Sequence, residues 1–358
     1  MRSSRRAYLD WLRGVAVICM IEWHVIASWT RAADRGVAAW PIIQLIGGFA
    51  APLFLFLAGV AVPFAIDGYV SKGETPRRAA WLVQRRGWQV FLIAHLFRFQ
   101  SFVTRPLATW SSVLKPDILN ILGLGLAGTA WLTGRLRRED GSVRRNWLLV
   151  AAAAILLLTP WTRVWWWPTL LHPRFEAYIR PLNGYGVFEL FPWTALVLAG
   201  AFVGSFLAAL RDPARETRVH HELGVCGLIT AGVGYGLGYL PLPNSLAWSI
   251  EPLLLFLIQT GWMTTAIWLS WALFHSPWIE NTSGPLVLFG RTSLFVYWVH
   301  VEFAFGFLSY PLHSALSLTW SIAGFVLVTI AMYFAARWWS SRPSRSWIPA
   351  ELRASARS

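Results

Sequence analysis

The chain has 358 residues, of which 56% are hydrophobic and 13% are charged. Because soluble domains carry about 25% charged residues, this composition excludes an ordinary soluble domain and indicates a membrane protein that crosses the bilayer several times. The formal net charge of +14 would suggest a nucleic-acid partner in a soluble protein. Here an excess of basic residues in the loops on one membrane side explains the charge without nucleic acid. The two cysteines form no metal or redox motif, so neither a metal site nor a disulfide is expected.

Hydrophobic stretches long enough to span a membrane predict an all-α polytopic protein with about ten transmembrane helices. They cover residues 8–29, 41–66, 80–103, 118–134, 147–167, 185–210, 223–241, 249–274, 284–308 and 316–339. An even number of crossings places both termini on one side, and basic residues are concentrated in the segments on that side. The positive-inside rule therefore predicts cytoplasmic termini. Residues 1–340 form the predicted transmembrane domain, and 341–358 form a basic cytoplasmic tail.

The first predicted helix contains Asp10, Arg13, Glu22 and His24. A charged residue at the centre of a membrane helix costs about 2.5–3.5 kcal/mol, so several in one helix indicate a function. Arg13 and His24 are eleven residues apart, which places them on one face about 16 Å apart, with Asp10 near the same stripe and Glu22 on the opposite face. The functional interpretation is a polar track from one membrane surface toward mid-bilayer. The alternative is that Arg13 snorkels to the surface and His24 is a packing histidine.

The third predicted helix carries Arg85 and Arg86 near its cytoplasmic end, and His95 and Arg98 deeper in the span. Arg85 and Arg86 can bind an anionic ligand at the cytoplasmic face or snorkel there. His95 and Arg98 are three residues apart and occupy one face of the helix. An internal ion pair and a substrate contact are equally consistent with that pair.

Aromatic and acidic residues mark the predicted outer side. The longest outer loop, residues 161–184, contains three adjacent tryptophans with Trp166 at their centre. They fit an aromatic belt at the membrane surface, and the functional alternative is a stacking platform for a sugar-like or lipid-linked acceptor. Glu189, early in the sixth helix, can hold an acceptor group or pair with Arg180 or Arg98.

The ninth predicted helix is the second polar one. Arg291 and Glu302 are again eleven residues apart and share a face, while Ser293, Tyr297 and His300 form a neighbouring face. The first and ninth helices thus each carry a basic residue near the cytoplasmic end and a histidine deep in the span. Two such helices can line one cavity.

Several of these segments resemble the transmembrane acyltransferase superfamily, which includes the acyltransferase 3 proteins and the heparan-α-glucosaminide N-acetyltransferase catalytic-domain family. The segments that carry the resemblance are YLDWLRGVAV with the following histidine, APLFLFLAG, DILNILGL, FELFPWTALVLAGAFVG and GRTSLFVYWVHVEF. They run in family order from residue 8 to about residue 306, and IEWH and YWVH fit the heparan-glucosaminide type better than the O-antigen type. The resemblance does not extend to a large N-terminal lumenal domain, so the lysosomal heparan substrate is not carried over.

The resemblance implies transfer of an acyl group, expected to be acetyl, from cytoplasmic acetyl-CoA to an acceptor on the other side of the membrane. The expected acceptor is a hydroxyl or amine of a glycan or lipid-linked sugar. The resemblance also implies that His24, at the motif histidine, is catalytic and that Arg13, at the motif arginine, serves the coenzyme.

The chemistry of the residues agrees with that expectation. Charge-assisted contacts would hold the coenzyme phosphates near Arg13, Arg85, Arg86 or Arg291. An imidazole can take the proton from an attacking acceptor or be acylated itself, and the sequence leaves both routes open. His300 is the second catalytic candidate, for acceptor positioning or proton relay. The candidate substrate-binding residues are Asp10, Glu189 and Trp166.

A transporter or flippase is the alternative function, because intramembrane Arg, Glu and His also mark transport paths. Transporters often repeat their polar helices at matching positions of two halves, whereas here these helices are the first and ninth of ten, which disfavours transport. The preponderance of Arg over Lys and the lack of sorting signals point to a bacterial inner membrane. The sequence leaves open the acceptor, O- or N-acylation and the oligomeric state, with which a homodimer is compatible.

Overall fold

A computed structural model of the chain describes residues 6–104, 110–137, 143–182, 184, 186, 188–275 and 284–342. Over these ranges the secondary structure is helical, with no β-strands and only two isolated bridge pairs. The helices are α1 Ala7–Trp29, α2 Trp40–Gly48, α3 Ala50–Val70, α4 Pro76–Thr104, α5 Ile118–Leu136, α6 Asn146–Val164, α7 Pro173–Glu176, α8 Leu190–Ala208, α9 Pro213–Gly238, α10 Asn244–Phe274, α11 Gly284–Arg291, α12 Ser293–Phe305 and α13 Leu318–Ser341.

Six helical segments in the described ranges are long and apolar enough to cross a membrane. They are Ala7–Trp29, Trp40–Val70, Asn146–Val164, Leu190–Ala208, Leu246–Phe274 and Leu318–Ser341, and Ser293–Phe305 is a shorter apolar helix. The prediction of an all-helical membrane protein is therefore confirmed. The number of ten crossings, the cytoplasmic position of the termini and the division at residue 340 stay predictions.

Two predicted helices are each divided in the structure. The second predicted helix, 41–66, consists of α2 and α3, which meet at Phe49. The ninth, 284–308, consists of α11 and α12, which meet at Thr292, where the backbone leaves helical geometry (φ −107°, ψ 15°). The Thr292 hydroxyl donates to the Leu288 carbonyl (2.8 Å), a local bond of the kind that bends helices. Arg291 and Glu302 therefore lie on different helices, whereas the prediction that they share one face assumed a single continuous helix.

Helix α1 is the centre of the bundle, because it packs against α2, α3, α10, α11, α12 and α13. Its closest neighbour is α11. A Cβ added at Gly14 would lie 2.0 Å from the Leu286 carbonyl oxygen, and one added at Gly290 would lie 1.8 Å from the Asp10 carbonyl oxygen. Such backbone contact between helices requires glycine. It fixes the N-terminal half of α1 against the end of α11 that carries Arg291.

The C-terminal half of α1 packs differently. Val17, Met20 and Ile21 form a buried cluster with residues of α12 and α13, including Tyr297 and Val301. The pairs α3 with α8 and α4 with α5 pack closely beside this cluster. The ends of α3, α4, α5 and α8 line a cavity that the second half of α1 also lines.

Candidate active site

His24 of α1 and His300 of α12 are in direct contact. The His24 Nδ1 atom lies 2.8 Å from the His300 Nε2 atom. The two rings are coplanar within 1°, with centroids 5.1 Å apart. A short nitrogen–nitrogen distance in a shared plane describes an edge-to-edge hydrogen bond rather than face-to-face stacking. The first and ninth predicted helices therefore bring their two histidines into contact.

The partners of this pair fix which nitrogen carries each proton. The His300 Nδ1 atom lies 2.8 Å from the Val296 carbonyl oxygen, which can only accept, so Nδ1 is the protonated nitrogen of neutral His300. Its Nε2 then accepts, and the His24 Nδ1–H donates to it. In neutral His24 the remaining nitrogen, Nε2, consequently carries a free lone pair.

His24 lines a cavity of about 770 Å³, a volume within the range of organic-ligand sites. Ser293 and Tyr297 of α12 and Phe54 of α3 are in the same wall. His300 itself is fully buried, with 0% of its surface exposed, and it contacts the cavity residue His24. The remaining lining residues come mainly from the ends of α3, α4, α5 and α8 and the loops between them.

A group of charged residues faces the same cavity at the junction of α4 and α5. Arg98, Lys115 and Asp117 all line it, and the Arg98 Nη2 atom lies 3.1 Å from the Asp117 Oδ2 atom. Asp117 is the N-cap of α5, because its carboxylate accepts a hydrogen bond from the Leu119 N–H (2.8 Å). Burial lowers the pKa of Lys115, and the neighbouring charges of Arg98 and Arg174 lower that pKa further.

His95 has polar partners of its own beside this group. Asn120 accepts from the Asp117 N–H through its Oδ1 atom (3.0 Å), and its Nδ2 atom lies 3.2 Å from the His95 Nδ1 atom. Arg98 pairs with Asp117 rather than with the Glu189 considered from sequence, and Arg180 pairs with Glu176 (2.7 Å). The Arg98–Asp117 pair is revealed only by the tertiary structure, whereas Arg180 and Glu176 are four residues apart in the chain.

Asp10 lies between two arginines at the other end of α1. Its carboxylate oxygens lie 3.3 Å from the Arg13 Nη1 atom and 3.3 Å from the Arg291 Nε atom. Asp10 is buried, with 3% of its surface exposed, whereas the Arg291 side chain is 52% exposed. We call Asp10, Arg13 and Arg291 the Asp10 cluster. The structure thus brings together three of the residues singled out from sequence, about three helical turns from His24.

Four further candidate residues neither line the His24 cavity nor belong to the Asp10 cluster. Arg85 and Arg86 are exposed on α4, and the Arg85 guanidinium lies over the Trp81 ring (5.8 Å). Trp166 is 73% exposed beside the end of α6. Glu189 is buried directly before α8, where it accepts a hydrogen bond from the side chain of the cavity residue Trp193. Ligand contacts by these four residues stay predictions.

Glu22 occupies the opposite side of α1 from His24, as its position in the helix predicted. It is buried, and its Oε2 atom would lie 3.1 Å from a Cβ added at Gly47 of α2. Within the described part of the chain that oxygen has no hydrogen-bond partner. Among the described residues no cluster of three or more His, Cys, Asp or Glu side chains is arranged to hold a metal.

Lys115 is the cavity residue that sequence reasoning missed. The available signal was its position directly before Pro116 and the N-cap of α5. Sequence alone gave no reason to connect it with Arg98, which is on another helix.

The sequence profile of the family described as heparan-alpha-glucosaminide N-acetyltransferase, catalytic, matches residues 5–232. No curated protein shows significant similarity to the chain. The matched region includes His24 and the charged residues at the α4–α5 junction, while His300 follows it in the sequence and reaches the site through the packing of α12 against α1. Because the match covers more than half of the chain, the protein belongs to the heparan-alpha-glucosaminide N-acetyltransferase catalytic-domain family of membrane acetyltransferases.

Proposed function

We propose that the protein transfers an acyl group, most simply acetyl, from an acyl-CoA thioester to a hydroxyl or amine of a glycan or lipid-linked acceptor. The observation that carries this proposal is the His24 Nε2 atom, whose lone pair is kept free by the hydrogen bond of Nδ1 to His300 in a cavity large enough for an acceptor. Membership of the acetyltransferase family favours this reaction over transport.

His24 acts as the general base in this reaction. Its Nε2 atom takes the proton from the acceptor hydroxyl or amine as the acceptor attacks the thioester carbonyl carbon. The carbon–sulfur bond then breaks, and the Nε2–H returns the proton to the departing thiolate, so protons and electrons balance. Each proton passes through one nitrogen, and the ring does not need to turn.

His300 orients and stabilises His24. While His24 is transiently protonated, its Nδ1–H keeps donating to the His300 Nε2 atom, whose own Nδ1–H is held by the Val296 carbonyl. The coplanar arrangement is the one that a ring-to-ring hydrogen bond requires. This arrangement supports a positioning role for His300, because its fully buried side chain reaches the cavity only through His24.

The Asp10 cluster is the proposed contact for the anionic end of the acyl donor. Arg13 and Arg291 present guanidinium groups that suit phosphate oxygens, and Asp10 holds both in place. The separation of about 16 Å between Arg13 and His24 suits an extended pantetheine arm. Arg85 and Arg86 are proposed as further cationic groups on the same, cytoplasmic side, and the membrane is proposed to be a bacterial inner membrane.

The acceptor is proposed to enter the cavity from its loop end. Glu189 accepts a hydrogen bond from the cavity residue Trp193 and is proposed to orient a sugar ring through that indole. Trp166 is proposed as an outer stacking surface for the glycan, because aromatic side chains at a membrane interface present flat apolar faces.

The proposal is tested with purified protein in vesicles and acetyl-CoA labelled in the acetyl group. We expect label to appear on an added amino sugar or hydroxyl acceptor, or thioester hydrolysis by water in its absence. His221 on α9 is an exposed histidine and provides a control variant, His221→Ala, that should retain activity. No binding of acetyl-CoA together with no loss of thioester from the wild-type protein would contradict the proposal.

A further inference from the structure

Tyr297 of α12 lies in the wall of the His24 cavity, beside the histidine pair. It precedes His300 by three residues, and the two rings meet edge to face, with centroids 5.7 Å apart and planes at 74°. His24 contacts the same His300 from α1. His300 is thus the common neighbour of the proposed base and of a tyrosine, and both of these neighbours line one cavity.

The Tyr297 hydroxyl has no hydrogen-bond partner within the described part of the chain. Only 9% of the residue is exposed, and a buried hydroxyl without a partner costs free energy. Tyr8, which is also buried, has its hydroxyl 3.0 Å from the His220 Nε2 atom. Because Tyr297 lines the cavity, a molecule that enters the cavity is the available source of an acceptor for its O–H.

Contacts on two sides of the ring hold this hydroxyl in place. Phe97 of α4 meets the Tyr297 ring edge to face, with centroids 6.0 Å apart, and His300 packs against it from the next turn of α12. Tyr297 also belongs to the buried cluster that includes Met20 of α1 and Val301. A donor held in this way is oriented before the substrate arrives, and such preorganisation makes a hydrogen bond effective in catalysis.

Acyl transfer creates a negative charge that the histidine pair does not stabilise directly. As the acceptor attacks the thioester, the carbonyl oxygen becomes an oxyanion, which preorganised hydrogen-bond donors stabilise. In the proposed reaction the His24 Nε2 atom takes the acceptor proton, and the Nδ1–H is bound to His300, so neither nitrogen of His24 serves that oxygen. A tyrosine hydroxyl ionises only near about pH 10, so at neutral pH it carries the proton that an oxyanion requires.

We propose that the Tyr297 O–H donates a hydrogen bond to the thioester carbonyl oxygen and stabilises the oxyanion that forms there, which makes Tyr297 a catalytic residue. The inference rests on the proposed function. During attack the acceptor atom bonds to the carbonyl carbon, and the π electrons of the C=O bond move to the oxygen. When the carbon–sulfur bond breaks, its electron pair leaves with the sulfur and the C=O bond forms again. The phenol proton stays on Tyr297 throughout.

Tyr297→Phe removes the donor and keeps the ring that contacts Phe97 and His300. We expect kcat to fall by roughly 10²–10³-fold, the loss caused by removing one oxyanion donor, with KM for both substrates little changed. Tyr333→Phe is the matched control and should retain wild-type kcat, because Tyr333 packs against the same buried cluster but does not line the cavity. Wild-type kcat in Tyr297→Phe, or a raised KM at unchanged kcat, would overturn the assignment.

Infrared spectroscopy tests the hydrogen bond without turnover. Acetyl-CoA with a ¹³C-labelled thioester carbonyl is bound to His24→Gln protein, which lacks the base, and the C=O stretching band is recorded by isotope editing. We expect this band at lower frequency than in the double variant that also carries Tyr297→Phe, because a hydrogen bond to the oxygen weakens the C=O bond. Adding Tyr333→Phe to His24→Gln instead should leave the band in place.

The outcomes of this measurement separate the hydrogen bond from the proposed function. Equal band positions with and without the Tyr297 hydroxyl, in protein that binds acetyl-CoA, would overturn the hydrogen bond and leave the proposed function standing. Failure of the wild-type protein to bind acetyl-CoA would overturn the proposed function, and this inference with it. The two failures are distinguishable because the presence of the labelled band reports binding and its position reports the contact.

Discussion

Both ends of α1 carry polar side chains, but one end is packed against another helix and the other end faces a cavity. At the N-terminal end, Asp10 pairs with Arg13 and Arg291 where α1 and α11 touch backbone to backbone at Gly14 and Gly290. At the C-terminal end, His24 faces an open cavity of about 770 Å³. The closed end holds charge in fixed positions, and the open end offers a base to a molecule that enters. We infer from this contrast that binding and chemistry are divided along one helix.

His24→Ala should have the largest effect of the substitutions that test this division between binding and chemistry. Removing the base should lower the transfer rate by roughly 10²–10⁴-fold, while acyl-CoA binding at the Asp10 cluster should be unchanged. Labelled acetyl transfer and equilibrium binding of CoA are measured on the same sample. If CoA binding fell together with the rate, the two ends of α1 would not have separate roles.

His300→Ala should have the next largest effect, because it leaves His24 in the cavity and removes the acceptor that fixes its tautomer. We expect a loss of roughly 10–100-fold in kcat, the scale found when a partner that orients a functional histidine is removed, with KM for both substrates little changed. His313→Ala, at a half-buried histidine beyond α12, is the comparison. Wild-type kcat in His300→Ala would show that His24 needs no orientation.

Arg13→Ala should change the KM for acyl-CoA rather than kcat. Loss of one guanidinium contact to phosphate should raise the apparent KM for acyl-CoA by roughly tenfold, with kcat nearly unchanged at saturating donor. The initial rate is measured as a function of acyl-CoA concentration, with Arg31→Ala, in the loop after α1, as the control. A fall in kcat at unchanged KM would assign Arg13 to the chemical step instead.

Asp117→Ala should produce the smallest change and should distinguish the cavity from the rest of the fold. Loss of the N-cap of α5 should cost about 1 kcal/mol of stability, and loss of the buried partner of Arg98 should add to that cost. Asp212→Ala removes the N-cap of α9, where the Asp212 carboxylate accepts from the Arg215 N–H (2.9 Å), and should cost only the capping contribution of about 1 kcal/mol. Thermal unfolding measures both.

Helix positions and the direction of His24 were accessible from sequence because both follow from local periodicity. The hydrophobic stretches located the helices, and a spacing of 3.6 residues per turn put Glu22 opposite His24. The pairing of His24 with His300 was also within reach, since polar residues in membrane helices turn toward one another and away from lipid.

The charged partners at the cavity could not be predicted in the same way. Arg98 and Asp117 are on different helices and meet only because α4 packs against α5. The break at Thr292 depends on a side-chain hydrogen bond that no hydrophobic pattern encodes. Lys115 precedes α5 in the chain, and its place in the cavity wall depends on how α4 and α5 pack together.

The central claim is that His24 presents an unprotonated Nε2 atom to the cavity because its Nδ1–H is bound to His300. The direct measurement is the ¹⁵N chemical shift of the ring nitrogens of His24 in histidine-labelled protein at neutral pH, assigned by the signals that disappear in His24→Asn. We predict a protonated Nδ1 and an unprotonated Nε2 in the wild type, and a redistribution of tautomers in His300→Ala. A proton on Nε2 of neutral His24 in the wild-type protein would contradict the account.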